Sequence, residues 1–172
     1  MDNPVILCGL GQVGWRVLEY LRLAGLPVVA IDNRAAPTDR RLAQVRFIKG
    51  DCRQRDVLLE AGVAQARAVV ILTSNDLINI STALMVRHLD GDVRIIVSLF
   101  NENLVPRLGK AVSNTLALSV YRLTAPLFAF TALGGQAVGA FHVDAGRYEI
   151  SDLIVHESSA LRDQTIGDVI AR

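Results

Sequence analysis

A strand-to-helix glycine turn, followed at a fixed distance by an acidic residue, is the feature that most narrows what this chain can fold into. Gly9-Leu10-Gly11-Gln12-Val13-Gly14 comes straight after the apolar run Val5 to Cys8 and opens the amphipathic stretch Gln12 to Ala24. Asp32 stands 18 residues beyond Gly14, at the end of the next apolar run, Pro27 to Ile31. A GxGxxG run alone is weak evidence, but strand, turn, helix and distant acid together form a phosphate-binding βαβ pattern. The three glycines divide the work: Gly9 allows the tight turn, Gly11 lets the backbone approach a diphosphate, and Gly14 lets the helix pack against the sheet. The helix N-terminus offers free amides and a partial positive charge. Asp32 would accept hydrogen bonds from a ribose diol and repel a 2′ phosphate, which favours NAD or a simple adenosine nucleotide over NADP. Arg34 has two equal readings, a cation over the adenine or phosphate and a solvated loop charge.

The rest of the first 120 or so residues repeats that alternation, the pattern of a doubly wound parallel sheet covered on both faces. Val45 to Ile48, Ala68 to Leu72, Arg94 to Leu99 and Thr115 to Leu118 read as further strands. Between them, Gln54 to Ala61 reads as a helix closed by Gly62, and Ser74, Asn75 and Asp76 offer caps for a helix whose Leu77, Ile80 and Leu84 share a face. Asn101 or Asn103 caps the next helix, which tolerates Pro106 in its first turn and is expected to end at Gly109. Val120 to Leu133 reads as a helix apolar around most of its circumference. Beyond it, Val138 to Val143 and Tyr148 to Val155 flank Asp144-Ala145-Gly146 as a hairpin, and Ile166 to Ala171 reads as a terminal helix. The fold class is therefore α/β, Rossmann-like, in three parts: residues 1–119 a nucleotide-binding domain, 120–134 a helix whose all-round apolar surface something must cover, and 135–172 a small C-terminal lobe; the family resemblance described below makes 120–134 a linking or dimerisation helix.

Composition removes several function classes. The 172 residues are 51% hydrophobic and 20% charged, with 18 basic side chains against 17 acidic, so a disordered chain is excluded and no basic footprint for nucleic acid exists. Cys8 and Cys52 are too few for a disulfide framework and read as buried thiols. Met1-Asp2-Asn3-Pro4 has no basic flank or cleavage site of a secretory signal, so a cytoplasmic setting is expected. Leu123 to Phe141 is uncharged and about 20 residues long, enough to consider as a membrane span, but Pro126 and the Gly134-Gly135 pair favour a helix followed by a turn and strand. A dehydrogenase would need a substrate region and proton-transfer groups. Only about 40 residues follow Leu133, and His88, His142 and His156 share no motif. Lys49 and Lys110 are the only lysines, neither four residues after a tyrosine, and no Cys/His spacing suits a metal. No metal site and no catalysis are expected.

Several segments together resemble the TrkA-N or RCK domain, the nucleotide-binding regulator of potassium channels and transporters. They are Cys8-Gly9-Leu10-Gly11 with Gly14, Val29-Ala30-Ile31-Asp32, Gly50-Asp51-Cys52, Leu58 through Ala61-Gly62-Val63 to Ala66, and Thr73-Ser74-Asn75-Asp76 with Asn79. The resemblance covers about residues 4 to 133. It implies that Asp51 and Cys52 border the adenine, with Cys52 in place of the family's alanine, and that Thr73, Ser74 and Asn75 line the far side of the crevice. The implied ligand site is Gly9, Leu10, Gly11, Gln12, Val13, Gly14, Asp32, Asn33, Arg34, Asp51, Cys52, Thr73, Ser74 and Asn75, with NAD(H) or an adenine nucleotide (ATP, ADP or AMP) as ligand. Family members often carry an arginine at the end of the fifth strand, where Val97-Ser98-Leu99-Phe100 has serine, so the identity of the nucleotide stays open. The resemblance also implies a homodimer or larger gating ring, joined through Val120 to Leu133, acting on a membrane potassium channel or transporter subunit. Glu157 to Leu161 with Thr165-Ile166 resembles the start of a C-terminal lobe that continues further in the family. Two other readings of the glycine turn are an NAD-dependent oxidoreductase without its substrate domain and, more distantly, a methyltransferase using S-adenosylmethionine.

Overall fold

A run of four or five β-branched and aliphatic residues can be buried on both faces only in the middle of a covered sheet, and this governs the architecture. The computed structural model of the chain describes residues 3–132, 137–143, 146–151 and 155–165. It divides into two compact units, Met1–Arg122 and Leu123–Arg172.

In the first unit, strands β1 (Val5–Cys8), β2 (Val28–Asp32), β3 (Arg46–Lys49), β4 (Ala68–Ile71), β5 (Arg94–Ser98) and β6 (Thr115–Leu118) form one sheet in the order β3-β2-β1-β4-β5-β6. Every pairing is parallel, with Cys8 opposite Ile31 on one side and Ile71 on the other. β1 is buried along its whole length, as its Val-Ile-Leu-Cys sequence requires. The crossovers are α1 (Gln12–Leu23), α2 (Arg55–Glu60), α3 (Asp76–Leu89) and α4 (Val105–Ala111), with short 3₁₀ turns between. Two apolar layers result. The larger contains Ile6, Ile31, Leu58, Val69 and Ile95; the other contains Leu7, Leu18, Ala30 and Leu42. Strand order reverses direction between β1 and β4, and an open parallel sheet of this kind leaves its crevice there, beyond the carboxyl ends of the strands.

Two expectations about helices are corrected. The face of α3 carrying Leu77 and Leu84 is not its core face: those side chains are 71% and 51% exposed, and of the three residues expected there Ile80 alone packs partly against the core. The buried positions are Asn79, Thr82, Ala83 and Val86. Small and internally hydrogen-bonded residues let this helix lie close to the sheet, with the Thr82 hydroxyl donating to the Ile78 carbonyl at 2.8 Å. Hydrophobicity alone misassigns such a face, because a satisfied polar group is cheap to bury. Similarly, α4 runs through Gly109 to Ala111, since Gly109 does not take the left-handed conformation that makes glycine a stop signal.

Helix α5 (Val120–Ala132) begins in the first unit and continues into the second, with Pro126 inside it. In the second unit, β7 (Ala137–Val143) and β8 (Gly146–Ser151) pair antiparallel, with an irregularity between Ala137 and Gly139. The second strand thus ends before Val155, which lies in a non-strand segment. Turns follow, closed by bonds from the amides of Ser159, Arg162 and Gln164 to carbonyls three residues earlier. The expected tip Asp144-Ala145 and the expected helix Ile166 to Ala171 lie outside the described residues. Among the described residues no helix is long and apolar enough to cross a membrane. None of their His, Cys, Asp and Glu side chains cluster to hold a metal.

Candidate functional site

The glycine turn does at the atomic level what its spacing requires, with one change of role. Gly9 has φ +97°, and a Cβ there would lie 2.9 Å from the Leu72 carbonyl carbon and Thr73 nitrogen. The end of β4 therefore passes directly over it, so any side chain is excluded twice, by conformation and by contact. Around Gly11 there is open space, the surface a phosphate would need. A Cβ on Gly14 would overlap the Gly9 carbonyl oxygen, so Gly14 lets α1 close onto the loop itself, not onto the sheet. Gly11 is the N-cap of α1 and provides no side-chain cap, and the first turn carries no acidic residue. The leading amides of that helix are thus left for an external anion.

Asp32 ties this loop to the next one. Its Oδ2 accepts from the Leu10 amide at 2.7 Å, and its Oδ1 accepts from the amides of Arg34 and Ala35, each at 2.7 Å. Burial opposes its charge, but these three bonds and the Arg34 guanidinium outweigh that and hold its pKa below the ordinary carboxylate value. Asp32 is therefore an organiser of the two loops as well as a candidate ribose acceptor, a role the spacing rule does not contain. On the β3 side, Asp51 is held by Arg53, whose Nη2 donates to Oδ2 at 2.6 Å and Nε to Oδ1 at 3.1 Å, and this pairing lowers the Asp51 pKa. Cys52 is buried, with Sγ 3.3 Å from the Thr82 hydroxyl. A hydrogen bond from Cys8 outweighs burial and brings the Cys52 pKa down to about 7, while donating that bond, together with full burial, raises the Cys8 thiol. Both cysteines are free and buried, as expected.

Across the crevice, Asn79 joins the ends of β4 and β5. Its Nδ2 donates to the carbonyls of Thr73 at 3.0 Å and Ser98 at 2.8 Å, and its Oδ1 accepts from the Thr73 amide at 3.1 Å and the Thr73 hydroxyl at 2.5 Å. Asp76 accepts from the amides of Phe100 and Asn101, both at 2.8 Å, and so fixes the loop after β5.

These elements enclose a crevice of about 690 Å³, within the range of small-molecule sites. Gly9, Leu10, Gly11, Gln12 and Val13 line it, as do Asp32, Asn33 and Arg34, Asp51 and Cys52, and Thr73 and Ser74. Two sequence candidates do not. Gly14 is packed beneath the loop, and Asn75 spends its side chain as the cap of α3, accepting from Leu77 and Ile78 amides at 2.9 and 3.1 Å. The structure adds Arg41 and Arg53 on the β2–β3 side, and Leu72, Ile78, Ser98, Phe100, Val120 and Tyr121 on the other. Arg41 pairs with Asp39 at 2.7 Å and lies over the Trp15 ring at 3.7 Å. The rule that crevices open beyond strand ends could have found Ser98 and Phe100; nothing local signals Tyr121, which arrives from the next helix.

The TrkA-N domain model matches residues 5–117, well over half of the chain. The chain belongs to the TrkA-N domain family. Potassium channel protein 1 of Methanocaldococcus jannaschii is 25% identical over 114 residues, covering 64% of this chain and 34% of that protein. The GsuK channel bound to NAD superposes with a TM-score of 0.61 at 26% identity, over 77% of this chain and 23% of that one. The C-terminal domain of Kef from Shewanella denitrificans, in an AMP-bound form, gives a TM-score of 0.65 at 21% identity, over 77% of this chain and 80% of that one. This TrkA-N chain spans only 17% to 34% of the length of the curated relatives it matches.

Proposed function

We propose that this TrkA-N chain is the regulatory part of a potassium channel or transporter, binding NAD(H) or an adenine nucleotide to control ion passage. One observation carries the reading: an uncapped, acid-free helix N-terminus faces an open space at Gly11, beside a preorganised Asp32, at the point where strand order reverses. The named relatives supply the context, a potassium channel in one case and nucleotide-bound channel and Kef domains in the others. The diphosphate lies on the α1 amides, the ribose on Asp32, and the adenine toward Asp51 and Cys52. No bond is broken. The output is a shift between subunit arrangements, which requires that the nucleotide bind one of them better than the other. The surface that carries this output is α5, which bears exposed apolar side chains at Leu123 and Phe128 and pairs with a second copy in a homodimer or ring.

Thermal melting with NAD, NADH, ATP, ADP, AMP and S-adenosylmethionine tests the reading, since a ligand of the native state raises stability as the logarithm of its concentration over Kd. Stabilisation by one or more adenosine nucleotides, abolished in Asp32→Ala, is expected. Stabilisation by S-adenosylmethionine alone, or by none of them, would overturn it.

A further inference from the structure

Beneath the crevice lies a buried pair of thiols whose chemistry nucleotide binding does not need. Cys8 ends β1 and Cys52 stands in the turn between β3 and α2, with β2 between the two strands. Both nevertheless belong to one apolar cluster, and their side chains are hydrogen-bonded to each other. They differ in access. Cys8 is 0% exposed and Cys52 6%, and of the two only Cys52 lines the crevice. One sulfur therefore faces the cavity and the other stands behind it. The Thr82 hydroxyl, 3.3 Å from the Cys52 Sγ, holds the outer sulfur in the crevice floor. A free cysteine packs as a small apolar side chain, so what sets it apart from such a side chain is reactivity.

We infer that Cys8 and Cys52 form a redox-active dithiol, which a hydroperoxide entering through the crevice converts to an internal disulfide. The Cys52 thiolate attacks the peroxide: an S–O bond forms, the O–O bond breaks, and the leaving oxygen takes a proton, giving Cys52 sulfenic acid and water or an alcohol. The Cys8 sulfur then attacks the Cys52 sulfur. The S–S bond forms, the S–O bond breaks, and the departing hydroxide takes the Cys8 proton as water. In total the two thiols lose two hydrogens and two electrons, and the peroxide is reduced by those electrons. The surroundings divide the roles in this order. Hydrogen bonds from Cys8 and Thr82 favour the Cys52 thiolate against burial and the Asp51 charge, with a pKa of about 7, while Cys8 is kept as the thiol. Asp51 is itself answered by Arg53, 2.6 Å away. The bridge would tie the end of β1 to the turn after β3.

Treating the reduced chain with hydrogen peroxide, then denaturing it and counting thiols, tests this. Free thiols should fall from two to none, with two hydrogens lost from the intact mass and no dimer on a non-reducing denaturing gel. Peptide mapping should join Cys8 to Cys52. In Cys8→Ala, Cys52 should stop at the sulfenic acid and take up one dimedone per chain. In Cys52→Ala, Cys8 should oxidise at least about tenfold more slowly than in the wild type, because its buried thiol has lost the sulfur that peroxide reaches first. The dithiol is overturned if wild-type Cys8 stays free while Cys52 oxidises, if cross-links form only between chains, or if Cys8 oxidises undiminished in Cys52→Ala. Survival of both thiols in peroxide that fully oxidises free glutathione would overturn it as well. These measurements contain no nucleotide, so the dithiol can fail while the nucleotide-binding reading stands.

Discussion

The half of the crevice built on β1, β2 and β3 and the half built on β4 and β5 share one backbone geometry and use opposite chemistry. In the first, carboxylates grip their own loops: Asp32 bonds Leu10, Arg34 and Ala35, and Asp51 bonds Arg53. The charges there are already paired within the loops, so the loops are preorganised. In the second, a neutral amide, Asn79, holds the strand ends together, and the wall is aliphatic and aromatic. The difference shows that preorganisation does not require charge. One half is held by charged groups and the other by the buried hydrogen bonds of a neutral amide.

That contrast can be broken at its centre. Gly9→Ala would force a side chain into positive φ and against the end of β4, and should destabilise the first unit by about 2 to 4 kcal/mol. Urea denaturation measures this, and a wild-type midpoint would show that the two halves do not meet at Gly9. Asn79→Ala leaves the carbonyls of Thr73 and Ser98 without a buried donor and should cost about 2 kcal/mol in the same assay. Its effect should fall on the neutral half alone, with amide hydrogen exchange quickening in β5 before β2.

Asp32→Asn sharpens the charged half. Adenosine-nucleotide affinity should fall by about 1 to 2 kcal/mol, measured by calorimetry. The same variant tests the pH dependence. A carboxylate with a lowered folded pKa adds stability that is complete above its unfolded value, about 3.9, and is lost as pH falls through the folded one. The wild-type chain should therefore lose stability below about pH 4, and Asp32→Asn should lose less over that interval. Ser74→Arg gives the neutral wall a cation and should improve ATP binding roughly twofold to fivefold relative to NAD. The smallest effect expected is at Cys52: alkylation should rise through a pH of about 7 and slow when nucleotide covers the crevice. A rate unaffected by nucleotide would place the ligand away from Cys52.

Much of this is legible in the sequence because the relevant signals are local. The glycine turn and the apolar runs of β1 and β4 each depend on a few adjacent residues and stand where the sequence puts them, and the cap of α3 falls on Asn75, one of the three adjacent candidates. The departures have a common cause. Hydrophobicity misplaces the core face of α3 because Asn79 and Thr82 are buried through partners on other elements or on the helix's own backbone, which a hydropathy pattern does not register. Gly109 is a false stop because glycine ends a helix only when the backbone turns left-handed, and here it does not.

What the sequence determined by itself is the parallel sheet, its turn at Gly9 to Gly14 and the acid at Asp32, since chain sterics and strand burial fix these within short windows. Only the tertiary structure decided that Asp32 organises two loops, that Gly14 packs under Gly9, and that Phe100 and Tyr121 face one cavity. Those relations join residues about 20 apart in sequence, or in the case of Gly14 across a turn, and they exist only once the strand ends have been brought side by side.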